Sequence, residues 1–254
     1  MRPPAILLVA FGAMSPSARA AYGAFEAEVR AVFPGHEIRW AYTATTLVAR
    51  LKAKGEAART LDEAYAGLAA DGFTSVAVCS LHLVPGEKHQ EVVDAPRHGL
   101  RVAVGQPLLS SPEAIRAVAA SLVQDAPGDR PVLVVAHGHA HEARFNAELV
   151  ALKAELSRLR ADIHQVLLEG DDDEAGLEAF IARARNLGKV HVVPFLLVAG
   201  DHVQNDILGD EPDSFRSRLS VPDFTCDDAL GLKPWARKHF RDRLDAALAE
   251  LEHA

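Results

Sequence analysis

Three side chains of metal-ligand type stand just beyond apolar runs of strand length in the second half of the chain. His137 follows P-V-L-V-V-A, Glu169 follows Q-V-L-L, and His202 follows V-V-P-F-L-L-V-A-G-D. In an open parallel sheet, ligands bind at the carboxyl ends of the strands, so the three would emerge near one rim despite their separation in sequence. Two imidazole nitrogens and one carboxylate oxygen suit a divalent first-row ion such as Co²⁺, Fe²⁺, Ni²⁺ or Zn²⁺. Three protein ligands also leave coordination positions open for a substrate. Ala136, Gly138 and Gly200 are small neighbours that make room for a bulky partner. His139 and His141 extend the cluster, but on an incipient helix they read as capping or solvent-facing residues. An H-G dipeptide also occurs in histidine phosphatases, whose chemistry wants an Arg just before the His; Ala136 stands there instead.

These strand ends belong to a sequence that reads twice. Residues 5–15 (A-I-L-L-V-A-F-G-A-M-S) match residues 131–141 (P-V-L-V-V-A-H-G-H-A-H), pairing Phe11 with His137. Further on, L-V-P-G-E-K-H-Q-E (83–91) matches L-V-A-G-D-H-V-Q-N (197–205), pairing Lys88 with His202 at a shorter spacing. The imidazoles are supplied by the second copy only. Apolar runs alternate with segments of helical period, the pattern of βα units and a mainly parallel sheet. Strands are expected at 6–11, 37–42, 75–84, 99–105, 132–136, 165–168 and 190–198. Helices are expected at 18–33, 45–54, 60–71, 111–124, 143–159, 173–187 and 233–252. Ser15-Pro16-Ser17 and the Thr60/Glu63 pair supply start signals, and the acidic run Asp171–Glu174 suits a helix N-terminus. His82 reads as a hydrogen-bonded strand residue. The expected fold is α/β, with two pseudo-symmetric halves, each a mainly parallel sheet flanked by helices, and a cleft between them. The turn-forming stretch Ala126-Pro127-Gly128-Asp129 sets the boundary, giving halves 1–128 and 129–254, the second with a closing helix.

Composition narrows the function classes. A net charge of −8 over 254 residues argues against a nucleic-acid partner, because phosphate-binding surfaces need clustered Lys and Arg. The two cysteines, Cys79 and Cys226, make no CxxC pair and suit a reducing compartment. Arg2 before the apolar run 5–13 imitates a secretory signal, but two prolines precede the run and the pattern recurs internally as a strand. No run reaches the ~18 apolar residues of a membrane span. A cytoplasmic protein without a membrane partner is expected, with a homo-oligomer left open. No G-x-G-x-x-G or G-x-x-x-x-G-K follows a strand, which argues against a nucleotide-binding protein.

The pairing of A-H-G-H-A-H (136–141) with V-P-F-L-L-V-A-G-D-H-V-Q-N-D (193–206) resembles the class II chelatases, and most closely the anaerobic sirohydrochlorin cobaltochelatases of the CbiK type. R-W-A-Y-T (39–43) and S-L-H-L-V-P-G-E (80–87) are also similar to that family, and the resemblance runs from Ile6 to about Leu219. It implies two chelatase-like halves with a tetrapyrrole in the cleft between them, and metal ligation by His137, Glu169 and His202. Two positions depart from the pattern. Relatives usually carry a second acidic residue where this chain has Lys88; a one-residue slip would make Glu87 the functional acid. His139 stands where relatives often have a small or hydroxyl residue.

The expected activity is insertion of Co²⁺ into sirohydrochlorin in cobalamin biosynthesis, with the divalent ion a substrate and no permanent cofactor. His137 would be principal ligand and base, His202 second ligand, and Glu169 third ligand or proton acceptor. The substrate carries many carboxylates, so Arg50, Arg144 and Lys88 are candidate partners for it, as is Glu87 in the acidic role. Insertion of Fe²⁺ to give sirohaem is the alternative with the same fold, and Ni²⁺ fits the same donor set. A non-enzymatic carrier of metal or tetrapyrrole is the alternative of another class.

Overall fold

The computed structural model describes residues 2–170 and 173–253. The chain divides into two compact units, one made of Met1–Leu108 with Pro234–Ala254 and the other of Leu109–Lys233. The first contains β1 (Ala5–Ala10), α1 (Pro16–Val32), β2 (Ile38–Tyr42), α2 (Thr45–Ala53), α3 (Leu61–Ala70), β3 (Ser75–Ser80), α4 (Glu87–Asp94) and β4 (Arg101–Val104). The second contains α5 (Pro112–Asp125), β5 (Val132–Gly138), α6 (Ala147–Leu159), β6 (Ile163–Glu169), α7 (Glu174–Leu187), β7 (Lys189–Phe195), α8 (Phe215–Leu219) and β8 (Asp223–Cys226). The last helix, α9 (Pro234–His253), returns to the first unit.

Each unit holds a four-stranded parallel sheet, ordered β2-β1-β3-β4 in one and β6-β5-β7-β8 in the other. The topology therefore repeats strand for strand, as the duplicated sequence implies. The shorter spacing of the second matched pair has a visible origin. The first unit places two helices, α2 and α3, between its second and third strands, where the second unit places only α7.

Central strands are apolar on both faces because helices cover both. In the first unit Leu7, Val9, Val76 and Val78 pack with Tyr65 and Leu68 of α3. On the opposite face Phe25 of α1 and Phe240 of α9 are buried edge to face, with ring centroids 6.3 Å apart. In the second unit Leu133, Val135, Val190 and Val192 pack with Phe180 and Ile181 of α7. Two helix starts carry the caps anticipated: Ser15 accepts from the Ala18 amide, and Thr60 and Glu63 form a complete capping box; Ser111, placed inside its helix by the sequence, is instead its cap and accepts from the Ala114 amide. Asp173 caps α7 through the Gly176 amide; Asp171 and Asp172 of the acidic run lie outside the described residues.

Packing divides the chain differently from the 128/129 boundary that follows the repeat. Helix α5 packs on α6, and α9 packs on β3 and β4. Each terminal helix of a sequence half thus packs within the unit built on the other half's sheet. The closing helix belongs to the first unit because its apolar stripe, Ala236, Phe240, Leu244 and Leu248, fills the face left open beside α1. Among the described residues no helix is long and apolar enough to cross a membrane.

Candidate metal-ligand site

In β5 five buried residues, Val132–Ala136, are followed by exposed His137 and by Gly138. The register pairs Gly138 with Glu169 at the end of β6, and Ala136 with Phe195 at the end of β7. His137, Glu169 and the segment leading to His202 thus leave the same, carboxyl edge of one sheet. Gly138 is obligatory for this arrangement. Its φ of +77° lies in the left-handed region, and a side chain there would collide with the Glu169 carbonyl oxygen. β5 and β6 can approach this closely at their ends only because that position lacks a Cβ.

His202 sits on a helical turn that runs into a π-helical segment, Val203–Ile207. Such wide turns are frequent at functional sites. The loop before it is pinned where the Leu230 and Gly231 amides donate to the Leu196 and Leu197 carbonyls. The result brings His137 and His202 together, with ring centroids 4.6 Å apart and planes nearly perpendicular.

The hydrogen bonds of these two rings fix their tautomers. His137 Nδ1 lies 2.9 Å from the Gly138 carbonyl oxygen, which can only accept, so Nδ1 carries the proton. His202 Nδ1 lies 2.6 Å from Asp206 Oδ2 and donates to that carboxylate. In the neutral tautomer so set, Nε2 of each ring is the nitrogen open to a metal, and each ring is oriented by a partner on its other nitrogen, the common arrangement for ligating histidines. Asp206 was not singled out from sequence; the i,i+4 spacing of His202 and Asp206 was the available signal. Removing such a partner typically costs ~10–100-fold in metal affinity. Asp206→Ala is therefore expected to weaken Co²⁺ binding by about that factor, read by calorimetric titration, with the fold unchanged because both side chains are about half exposed.

The Glu169 side chain is exposed and makes no hydrogen bond or ion pair among the described residues. No three His, Cys, Asp or Glu side chains among the described residues stand close enough together to hold an ion. The two histidines are assembled, and Glu169 stands on the neighbouring strand with no partner for its carboxylate among the described residues. His139 does structural work instead: its Nδ1 accepts from the Glu142 amide, its carbonyl accepts from Asn146 Nδ2, and its ring lies against Phe145. His141 is exposed.

The remaining candidates are scattered. Lys88 occupies the second position of α4, as His202 does in its own turn, and pairs with Glu91. Glu87 lies exposed in the first turn of α4, and Arg50 is exposed on α2. Arg144 pairs with Glu142 and lies over the Phe145 ring. A cavity of about 440 Å³ along the outer edge of β2, lined by Arg39, Trp40, Arg59 and Asp71 among others, contains none of the candidate ligands. His82 lies just past β3, whose regular pairing ends at Ser80, and is hydrogen-bonded to the Ser80 hydroxyl.

Comparison with known proteins gives the same direction. Residues 4–248 match the family model described as cobalt chelatase (CbiK). Sirohydrochlorin cobaltochelatase CbiKC of Nitratidesulfovibrio vulgaris is 31% identical over 87% of this chain and 81% of its own. Sirohydrochlorin cobaltochelatase of Salmonella typhimurium is 28% identical over 96% of both chains. Among solved structures, SirB from Bacillus subtilis with Fe³⁺ superposes with a TM-score of 0.66 at 16% identity, covering 99% of this chain and 98% of that one. CbiX, described as the terminal enzyme of sirohaem biosynthesis in denitrifying bacteria, superposes with a TM-score of 0.58 at 20% identity, covering 96% and 99%. With a repeated parallel α/β unit, two histidine rings brought together at one sheet edge and a family match over nearly its whole length, the chain belongs to the cobalt chelatase (CbiK) family.

Proposed function

We propose that this chain is a cytoplasmic chelatase that inserts Co²⁺ into sirohydrochlorin, with the metal as substrate. The observation that carries the reading is the His137–His202 pair, both rings holding an unprotonated Nε2 beside one another at a sheet edge. Their two nitrogens take the ion from water, and the unpartnered Glu169 carboxylate swings in as third ligand. Insertion replaces two pyrrole protons by the metal, so the pyrrole nitrogens keep the electron pairs of the broken N–H bonds and use them to bind the ion. The protein's part is to strip water from the ion, hold it against the ring and take up protons. An imidazole nitrogen bound to metal has its lone pair engaged. His137 Nε2 therefore cannot hold the ion and a proton at once, and while it serves as ligand a separate proton acceptor is needed.

The test is metallation of sirohydrochlorin by the purified protein with Co²⁺, Fe²⁺ and Ni²⁺ supplied separately. Product in excess of protein, formed fastest with Co²⁺, is expected. Product that stops at one equivalent would make the chain a carrier, and faster turnover with Fe²⁺ would make it a sirohaem enzyme.

A further inference from the structure

Asn146, in the stretch that joins β5 to α6, is a polar side chain with only 6% of its surface exposed. It stands at the position just before α6, where an asparagine usually caps the helix by accepting from one of its first amides. Here the side chain makes no such bond. It turns back instead, and Nδ2 donates to the His139 carbonyl oxygen at 3.1 Å. A carbonyl oxygen can only accept, so it is the amide nitrogen of Asn146 that faces His139. The wall so formed is tied at other points as well. The Glu142 amide donates to His139 Nδ1 at 3.0 Å, and the His139 ring lies against Phe145.

The exit of β6 rests on this wall. Gly170, the residue after Glu169, has a φ of +116°, and a Cβ there would come within 2.8 Å of Asn146 Nδ2 and 3.2 Å of the His139 carbonyl oxygen. On the other side, the Glu169 carbonyl oxygen lies where a Cβ on Gly138 would collide with it. Glu169 is thus held at two points, by its own carbonyl against β5 and by its neighbour against the Asn146–His139 hydrogen bond. The pairing of Gly138 with Glu169 is the last in the β5–β6 register, so past it the contact with Asn146 takes over from the ladder. The backbone at Glu169 is fixed while its side chain is exposed. Only side-chain torsions remain to be set when the carboxylate moves onto an ion.

We propose that Asn146 is a positioning residue for metal capture, fixing the β6 exit through Gly170 so that the Glu169 carboxylate reaches an ion held by His137 and His202. The inference rests on the chelatase reading, with Glu169 as third ligand. All of these residues belong to the second unit. The physical reason is the entropy of ordering. A carboxylate on a loosened exit must order backbone as well as side chain when it binds, and its contribution to affinity falls accordingly. Asn146 meets that cost in advance, during folding, through a bond buried away from solvent. It touches neither the ion nor the tetrapyrrole and acts only through Glu169.

The experiment is calorimetric titration with Co²⁺ alone of wild type, Asn146→Leu, Gly170→Ala and Glu169→Ala, and of the first two variants each combined with Glu169→Ala. Circular dichroism checks the fold of every variant. Leu replaces the amide by an apolar group of similar size that cannot donate to His139. Glu169→Ala is expected to weaken Co²⁺ binding at least ~10-fold. Asn146→Leu is expected to weaken it about 10-fold, the low end for a group that orients a ligand. Gly170→Ala, whose Cβ pushes the β6 exit off Asn146, should cost a similar factor, and it carries the same test if the Leu variant fails to fold. In the Glu169→Ala background each change should alter affinity less than about twofold, because the group being positioned is gone. An equal loss in both backgrounds, or wild-type affinity in Asn146→Leu and Gly170→Ala, would overturn the positioning role and leave the chelatase reading intact. Wild-type affinity in Glu169→Ala would remove the third ligand from that reading and overturn the inference with it.

Discussion

His137→Ala is expected to reduce Co²⁺ insertion into sirohydrochlorin by at least ~10²-fold, toward the rate without protein. The substitution removes one of the two assembled rings and leaves His202 without its imidazole neighbour. Loss of a partner that only orients a ligand typically costs ~10–100-fold in metal affinity, and loss of the ligand itself costs at least as much. The ring is exposed and contributes little to the core, so the thermal transition should be unchanged and sirohydrochlorin binding should weaken less than turnover. Multiple-turnover absorbance traces beside fluorescence titration of the free tetrapyrrole check both halves of the expectation. Wild-type turnover in this variant would remove His137 from the mechanism.

Phe240→Ala is expected to have the largest effect on stability, about 3–5 kcal/mol, the usual cost of deleting a fully buried aromatic side chain. Phe240 is 1% exposed, meets Phe25 edge to face, and lies in the helix segment whose carbonyl accepts from the Cys79 thiol. The loss should fall on the first unit. Hydrogen exchange should accelerate in β1, β3 and α1, while α7 and β5 keep their protection. A loss confined to 109–233 would show that α9 supports the other unit.

Much of this was readable from the residues. The strand–helix alternation, the repeat and the three ligand-type residues at strand ends follow from hydrophobic periodicity and from where polar groups interrupt it. The elements missed are those with little apolar signal. Helix α4, E-K-H-Q-E-V-V-D, buries only His89 and Val92, so its charged face hid it. β8, D-F-T-C, is a four-residue edge strand with no fully buried position. His82 reads as a hydrogen-bonded strand residue, and its bond to Ser80 is there, but the ring on the other side of that hydroxyl, His89, comes from α4, which the sequence signals so weakly. Asp206 escaped notice because an acid one turn beyond a histidine is common on any solvated helix. The division into units was hidden for another reason. Repeats record how a sequence was copied, while compact units record which sheet face each helix covers.

That exchange of helices bears on the order in which the chain is built. The second unit is one continuous stretch, Leu109–Lys233, complete as soon as Lys233 has left the ribosome. The first unit's Met1–Leu108 stretch is made earlier but lacks Phe240 and the rest of α9 until the chain has grown past Lys233. Domains usually mature from the N-terminus during translation; here the downstream unit should mature first while the earlier sheet waits with one face uncovered. Nascent chains stalled with Lys233 just outside the exit tunnel should resist brief proteolysis across 109–233 and be cut within 1–108. Equal resistance of both stretches at that length would show that the first sheet closes without its last helix.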